Sequence, residues 1–129
     1  MKKVVKKKTK PFEFTVLRSK WYRGRGSDKS RLLNSAGEMC CLGFYVLACD
    51  IDKRAVLDKC VPDELDVRVF PKLHESIRPD ALYPGGPYSD NGLVGNLLKV
   101  NDHTGIGEKE REKELTKLFR QGGIKVTFK

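Results

Sequence analysis

The sequence predicts an α+β domain: a small mixed or antiparallel sheet made by N- and C-terminal strands, packed by two to four helices. Three observations carry this. Short alternating segments lie near both ends of the chain, a long apolar run without alternation lies between them, and one segment has a clear helical period. At 129 residues the chain fits one domain and can bury a core without disulfide or metal staples. We divide it into a basic N-terminal arm, residues 1–10, and a single α+β domain, residues 11–129.

The elements follow in order. After Pro11, the apolar side chains of Phe12, Phe14 and Val16 alternate with Glu13, Thr15 and Leu17, which is strand periodicity. The polar stretch WYRGRGSDKS follows, then residues 30–34 read as a short second strand. Asn34-Ser35-Ala36-Gly37 is a turn, with Gly37 able to take positive φ. Residues 39–51, MCCLGFYVLACDI, are almost wholly apolar and do not alternate, so they predict a fully buried helix. Gly43 inside it implies close packing against another element, since an interior glycine otherwise costs about 1 kcal/mol against alanine.

Residues 52–92 are rich in proline and include YPGGPYSDNG, so they predict an elaborated, irregular region. Within it, a short helix near residues 53–59 and a segment near 65–70 are expected. Residues 93–100 form a short helix running into a turn at Asn101-Asp102. GEKEREKELTKLFRQGG is the clearest helix, with acidic residues first, Leu115, Leu118 and Phe119 on one face, and Gly122-Gly123 as its stop. Its Glu108, Glu110, Glu112 and Glu114 interleave with Lys109, Arg111 and Lys113, the pattern of a solvated face. Ile124, Val126 and Phe128 close the chain as a strand.

Charge is unevenly spread. The net charge is +9, and residues 1–31 carry twelve of the 26 Lys and Arg against Glu13 and Asp28, a net of +10. The remaining residues net −1, so the basic excess sits in the first quarter. Such a segment attracts phosphates, whether on nucleotides or nucleic acid. Lys2, Lys3, Lys6, Lys7, Lys8 and Lys10 are the candidate nucleic-acid arm. No apolar run approaches the ~20 residues of a membrane span, and no apolar stretch follows the basic start as a secretion signal requires. The expectation is a cytoplasmic protein with no membrane partner.

WYRGRGSDKS invites comparison with the P-loop G-x-x-x-x-G-K-[ST]. There, a glycine before the lysine lets the backbone wrap a phosphate; here Asp28 takes that place and would repel it. The NTPase reading therefore fails. What remains is an anion-contact loop. Arg23 and Arg25 flank glycines that give their guanidinium forks access to a phosphate. Ser27, Lys29 and Arg31 add donors, and Trp21 or Tyr22 offers a ring to stack on a base.

Cys40, Cys41, Cys49 and Cys60, with His74 and His103, have no zinc-type spacing, so no metal or other cofactor is expected. The cysteines read as small buried hydrophobes and the two histidines as turn residues. Cys40 or Cys41 with His103 and Asp102 is the one set with nucleophile, base and acid. Its apolar surroundings would raise the thiol pKa, which weighs against an enzyme.

The strings GEMCCLGFYVLAC and LLKVNDHTGIGEKEREKELTKLFRQGGIKVTF resemble a group of small bacteriophage and prophage proteins. That group carries a Gly-x-Met-Cys-Cys-Leu-Gly-Phe core, an Asn-Asp turn, a Glu-Arg-Glu helix and a terminal strand. The likeness covers residues 12–49 and 97–128; the lysine-rich start lies outside it. It implies a viral accessory protein acting in the host cytoplasm, and it implies no chemistry. The leading expectation is a protein that binds an anionic, nucleotide-like ligand without catalysis, sequestering a nucleotide signal of host defence. The alternative is a nucleic-acid or host-protein binding module using the basic arm; a nucleotide-acting enzyme ranks third. A homo-oligomer is compatible with each.

Overall fold

The computed structural model describes residues 12–26, 30–79, 88 and 92–129. Strand β1 (Phe12–Val16) and strand β2 (Ile124–Phe128) form a two-stranded sheet with Phe12 opposite Ile124 and Val16 opposite Phe128. The pair is parallel, which corrects the expectation of a mixed or antiparallel sheet. The reason is topological: the helical segments between the strands carry the chain back to its starting end, so β2 runs alongside β1 in the same direction. Alternation places Phe14, Val16, Ile124 and Val126 inside, as expected.

Four α-helices follow from the pattern: α1 (Cys41–Ala48), α2 (Lys53–Val56), α3 (Leu93–Asp102) and α4 (Glu108–Gln121). α1 packs on β1, α4 on β2, and α3 on both α1 and α4. Every residue from Cys41 to Val46 is buried, and α1 reaches solvent only at its end, where Ala48 is exposed. Its Tyr45 ring meets the edges of Phe12 and Phe14 at 5.5 and 5.7 Å, and its hydroxyl accepts from the His74 N–H at 2.6 Å. Phe14 reaches Phe119 of α4 at 5.0 Å, which ties sheet and helices into one core.

Gly43 has the close contact that its position implied. A Cβ there would lie 1.8 Å from the Leu32 carbonyl oxygen and 2.9 Å from the Met39 Cβ. The turn at Asn34 is also as expected: Asn34 Oδ1 accepts from the N–H groups of Ala36 and Glu38, and Gly37 has φ of +84°. Residues 30–34 are not a strand. Leu33 makes a single bridge to Leu57, with no neighbouring pairs to extend it.

Between α2 and α3 the described chain runs as three 3-10 turns, Pro62–Glu64, Val67–Lys72 and Glu75–Ile77. Two of them and α2 start from a side-chain acceptor two residues back: Asp52 takes the Arg54 N–H, Asp66 the Arg68 N–H and His74 the Ser76 N–H. That is the local hydrogen bonding by which Asp, Asn and similar side chains compete with longer helix. No helix among the described residues is long and apolar enough to cross a membrane.

Candidate anion-contact site

The loop after β1 is held by the end of α3. Tyr22 N–H donates to the Met39 carbonyl at 2.8 Å, Gly24 N–H to the Asn101 carbonyl at 2.8 Å and Gly26 N–H to the Asp102 carbonyl at 2.9 Å. The glycines of RGRG are thus spent on docking, with φ of +70° at Gly24 and +75° at Gly26. At Gly24 there is also no room: a Cβ would sit 2.8 Å from an Arg111 guanidinium nitrogen.

Two buried polar side chains organise this junction, and neither was singled out from the sequence. Asn101 has no exposed surface. Its Oδ1 accepts from Trp21 Nε1 at 2.8 Å and from the Cys41 N–H at 3.0 Å, so it caps the N-terminus of α1 from across the core. Its Nδ2 donates to the Tyr22 carbonyl and to Asp102 Oδ1. Asn101 and Asp102 therefore belong to the last turn of α3 and not to the expected turn after it.

Arg111, only 1% exposed, overturns its placement on a solvated face of α4. One terminal nitrogen donates to the carbonyls of Val100, Asn101 and His103 at 2.7, 3.1 and 2.8 Å, which satisfies the orphan acceptors at the end of α3. The signal was present in the sequence: 111, 115 and 119 share one helical face, and the latter two are buried leucine and phenylalanine.

The predicted ligand-binding residues divide. Trp21 is enclosed, with Phe128 at 5.1 Å against its ring, the Arg23 guanidinium over it at 4.3 Å and its N–H held by Asn101. It has no open face for a base, which corrects the stacking expectation. Arg23 is committed as well: its Nε donates to Glu108 at 2.7 Å and a terminal nitrogen donates to the Arg18 and Trp21 carbonyls. Although its surroundings act to raise it, the Glu108 carboxyl is held below the usual range by Arg23 and by Arg111.

Arg25 differs. Its guanidinium lies over the buried Tyr22 ring at 5.0 Å, its side chain is exposed, and no described carboxylate pairs with it. Arg31 is half-buried and donates to the Ser30 carbonyl. Ser27, Lys29 and the arm residues Lys2, Lys3, Lys6, Lys7, Lys8 and Lys10 lie outside the described residues.

Beside Gly26, an open depression of about 470 Å³ is lined by Leu98, Lys99, Asp102 and His103. His103 Nδ1 accepts from the Gly105 N–H at 2.8 Å, the tautomer that carries its hydrogen on Nε2. Half-burial pushes the Asp102 carboxyl up, against the pull of the Asn101 amide. No family model, curated protein or solved structure matches this chain. Its function is therefore argued from this geometry.

The geometry does not assemble a thiol nucleophile. Cys40 and Cys41 have no exposed surface; burial pushes the Cys40 thiol up to about 12 and Cys41 well above its usual value. Asp102 approaches both and further hinders their ionisation, and His103 turns its Nδ1 to Gly105. Among the described residues no cluster of three or more His, Cys, Asp and Glu could hold a metal ion.

Proposed function

We propose that this protein is a small accessory protein of the bacteriophage type that binds an anionic, nucleotide-like ligand without catalysis. The observation that carries the reading is Arg25. Of the two arginines in the RGRG loop, it alone keeps its guanidinium clear of any described carboxylate. The Tyr22 ring beneath it fixes its plane, so little entropy is lost when it forks onto a phosphate. Gly26 docks the loop on the Asp102 carbonyl, beside the depression where the His103 Nε2–H supplies a further donor. Because Trp21 is buried, this reading assigns recognition to the phosphate rather than to a stacked base.

The likeness of GEMCCLGFYVLAC and the Asn-Asp segment to phage proteins supports a setting in an infected cell's cytoplasm. There, a protein that binds and holds a nucleotide signal of host defence would act by mass action alone. A thermal-shift screen with mononucleotides, cyclic oligonucleotides and short DNA and RNA tests this. One nucleotide class raises the melting temperature and is recovered chemically unchanged after denaturation. Arg25→Ala weakens that ligand about 10- to 100-fold, the worth of one or two charge-assisted hydrogen bonds. Turnover of the ligand, or full affinity in Arg25→Ala, refutes the reading.

A further inference from the structure

β2 presents an edge and a groove distinct from the RGRG loop. In a parallel pair, successive residues turn their backbone groups alternately toward the partner strand and away from it. Lys129 donates its N–H to the Val16 carbonyl at 2.9 Å and accepts the Arg18 N–H at 2.7 Å, so Lys125, Thr127 and Lys129 turn theirs toward β1. Ile124, Val126 and Phe128 turn theirs outward, and no described residue bonds them. Among the described residues this is an open strand edge with regular donor and acceptor spacing, the feature that folded proteins usually cover or blunt.

Along that edge runs a groove of about 260 Å³, lined by Thr116 and Arg120 of α4 and by residues 123–126. Its lining is largely apolar, while Arg120 and Lys125, both exposed, stand at its rim. Neither cation pairs with a described carboxylate. The edge asks for an extended backbone, the groove for an apolar side chain and the rim for carboxylates.

We propose that the outer edge of β2 receives an extended acidic segment of a partner protein, added as a third strand. Its alternate apolar side chains enter the groove, an acidic side chain at the groove mouth meets Arg120, and the intervening acidic side chains on the opposite face meet Lys125. Main-chain hydrogen bonds supply the affinity, and the groove and rim supply the choice of sequence. A second copy of this chain is disfavoured, because two basic edges on molecules of net charge +9 would face each other. Nucleic acid is disfavoured because the groove is apolar and offers no ring to stack on.

The test uses the full-length protein with two eight-residue probes, alternating Glu-Val and alternating Lys-Val, read by fluorescence anisotropy and by amide hydrogen exchange. The Glu-Val peptide binds, and the Ile124, Val126 and Phe128 amides become slow to exchange; the amides already facing β1 do not change. The double variant Arg120→Glu with Lys125→Glu alters only exposed side chains. With its fold checked by circular dichroism, it binds Glu-Val at least tenfold more weakly. The proposal is overturned if neither peptide binds, if Lys-Val binds equally, or if protection falls elsewhere. It is also overturned if the outer amides are already slow in the free protein, or become slow with protein concentration alone.

Discussion

At Gly43 a single hydrogen decides how α1 sits. The Leu32 carbonyl occupies the space a Cβ would need, and Leu32 is itself fully buried, with its N–H bonded to the Lys59 carbonyl at 2.7 Å. Neither side can retreat without breaking packing. Gly43→Ala should therefore destabilise the protein by roughly 1–3 kcal/mol, the range of core overpacking, in urea denaturation; a loss below ~1 kcal/mol would mean that α1 slides freely. Asp102 gives a prediction with a sign. Its folded-state pKa is raised by half-burial, so its ionisation opposes folding. Below its unfolded pKa the group is neutral in both states and costs nothing; stability is lost as pH rises through the folded value. Asp102→Asn keeps the oxygen that accepts from Asn101 and removes the titration. Compared with the wild type between pH 3.5 and 7, the variant should gain melting temperature as the carboxyl ionises and then level off above its folded-state pKa. A difference that stays constant over that window would show that the carboxyl is not perturbed in the folded protein.

Among the elements, those set by one face of side chains were legible and those set by distant partners were not. Phe12, Phe14 and Val16, and again Ile124, Val126 and Phe128, announce strands by alternation alone. Alternation is the same in parallel and antiparallel pairs, so the direction of β2 could not be seen. Cys41–Ala48 announces a buried helix by lacking any polar face. Residues 30–34 mimic a strand because Leu32 and Leu33 are buried, yet their backbone partners are the Lys59 carbonyl and the Asp58 N–H rather than a ladder. The end of α3 was misplaced because Asn and Asp usually mark turns. Here Asn101 spends its side chain on α1 and Trp21, and Arg111 takes up the carbonyls the helix leaves open. In the loop WYRGRG the sequence does not tell the two arginines apart. Arg23 is consumed by Glu108, 85 residues away, and Arg18 by Glu112, 94 away. Such pairings exist only once α4 has docked.

At the scale of the whole molecule, the charge asymmetry separates the two binding readings. Residues 1–31 hold a net of +10 and the rest a net of −1, yet Arg18 and Arg23 within the folded part are neutralised by Glu112 and Glu108. Of the ten other cations of residues 1–31, six are the lysines of residues 1–10, and Arg25 has no described carboxylate partner. A polyanion that engages those lysines displaces counterions, so its affinity falls linearly with salt on logarithmic axes, by about 0.7 per phosphate on a single strand. Removing residues 1–10 should then lower the slope for a 20-nucleotide single strand by roughly four, as read by fluorescence anisotropy between 50 and 300 mM salt. A mononucleotide held by Arg25 and the depression beside α3 should bind the shortened protein as before. An unchanged slope would end the nucleic-acid reading and leave the arm without a polyanion to hold. Loss of the mononucleotide together with the slope would place both ligands on the arm and remove Arg25 from the site.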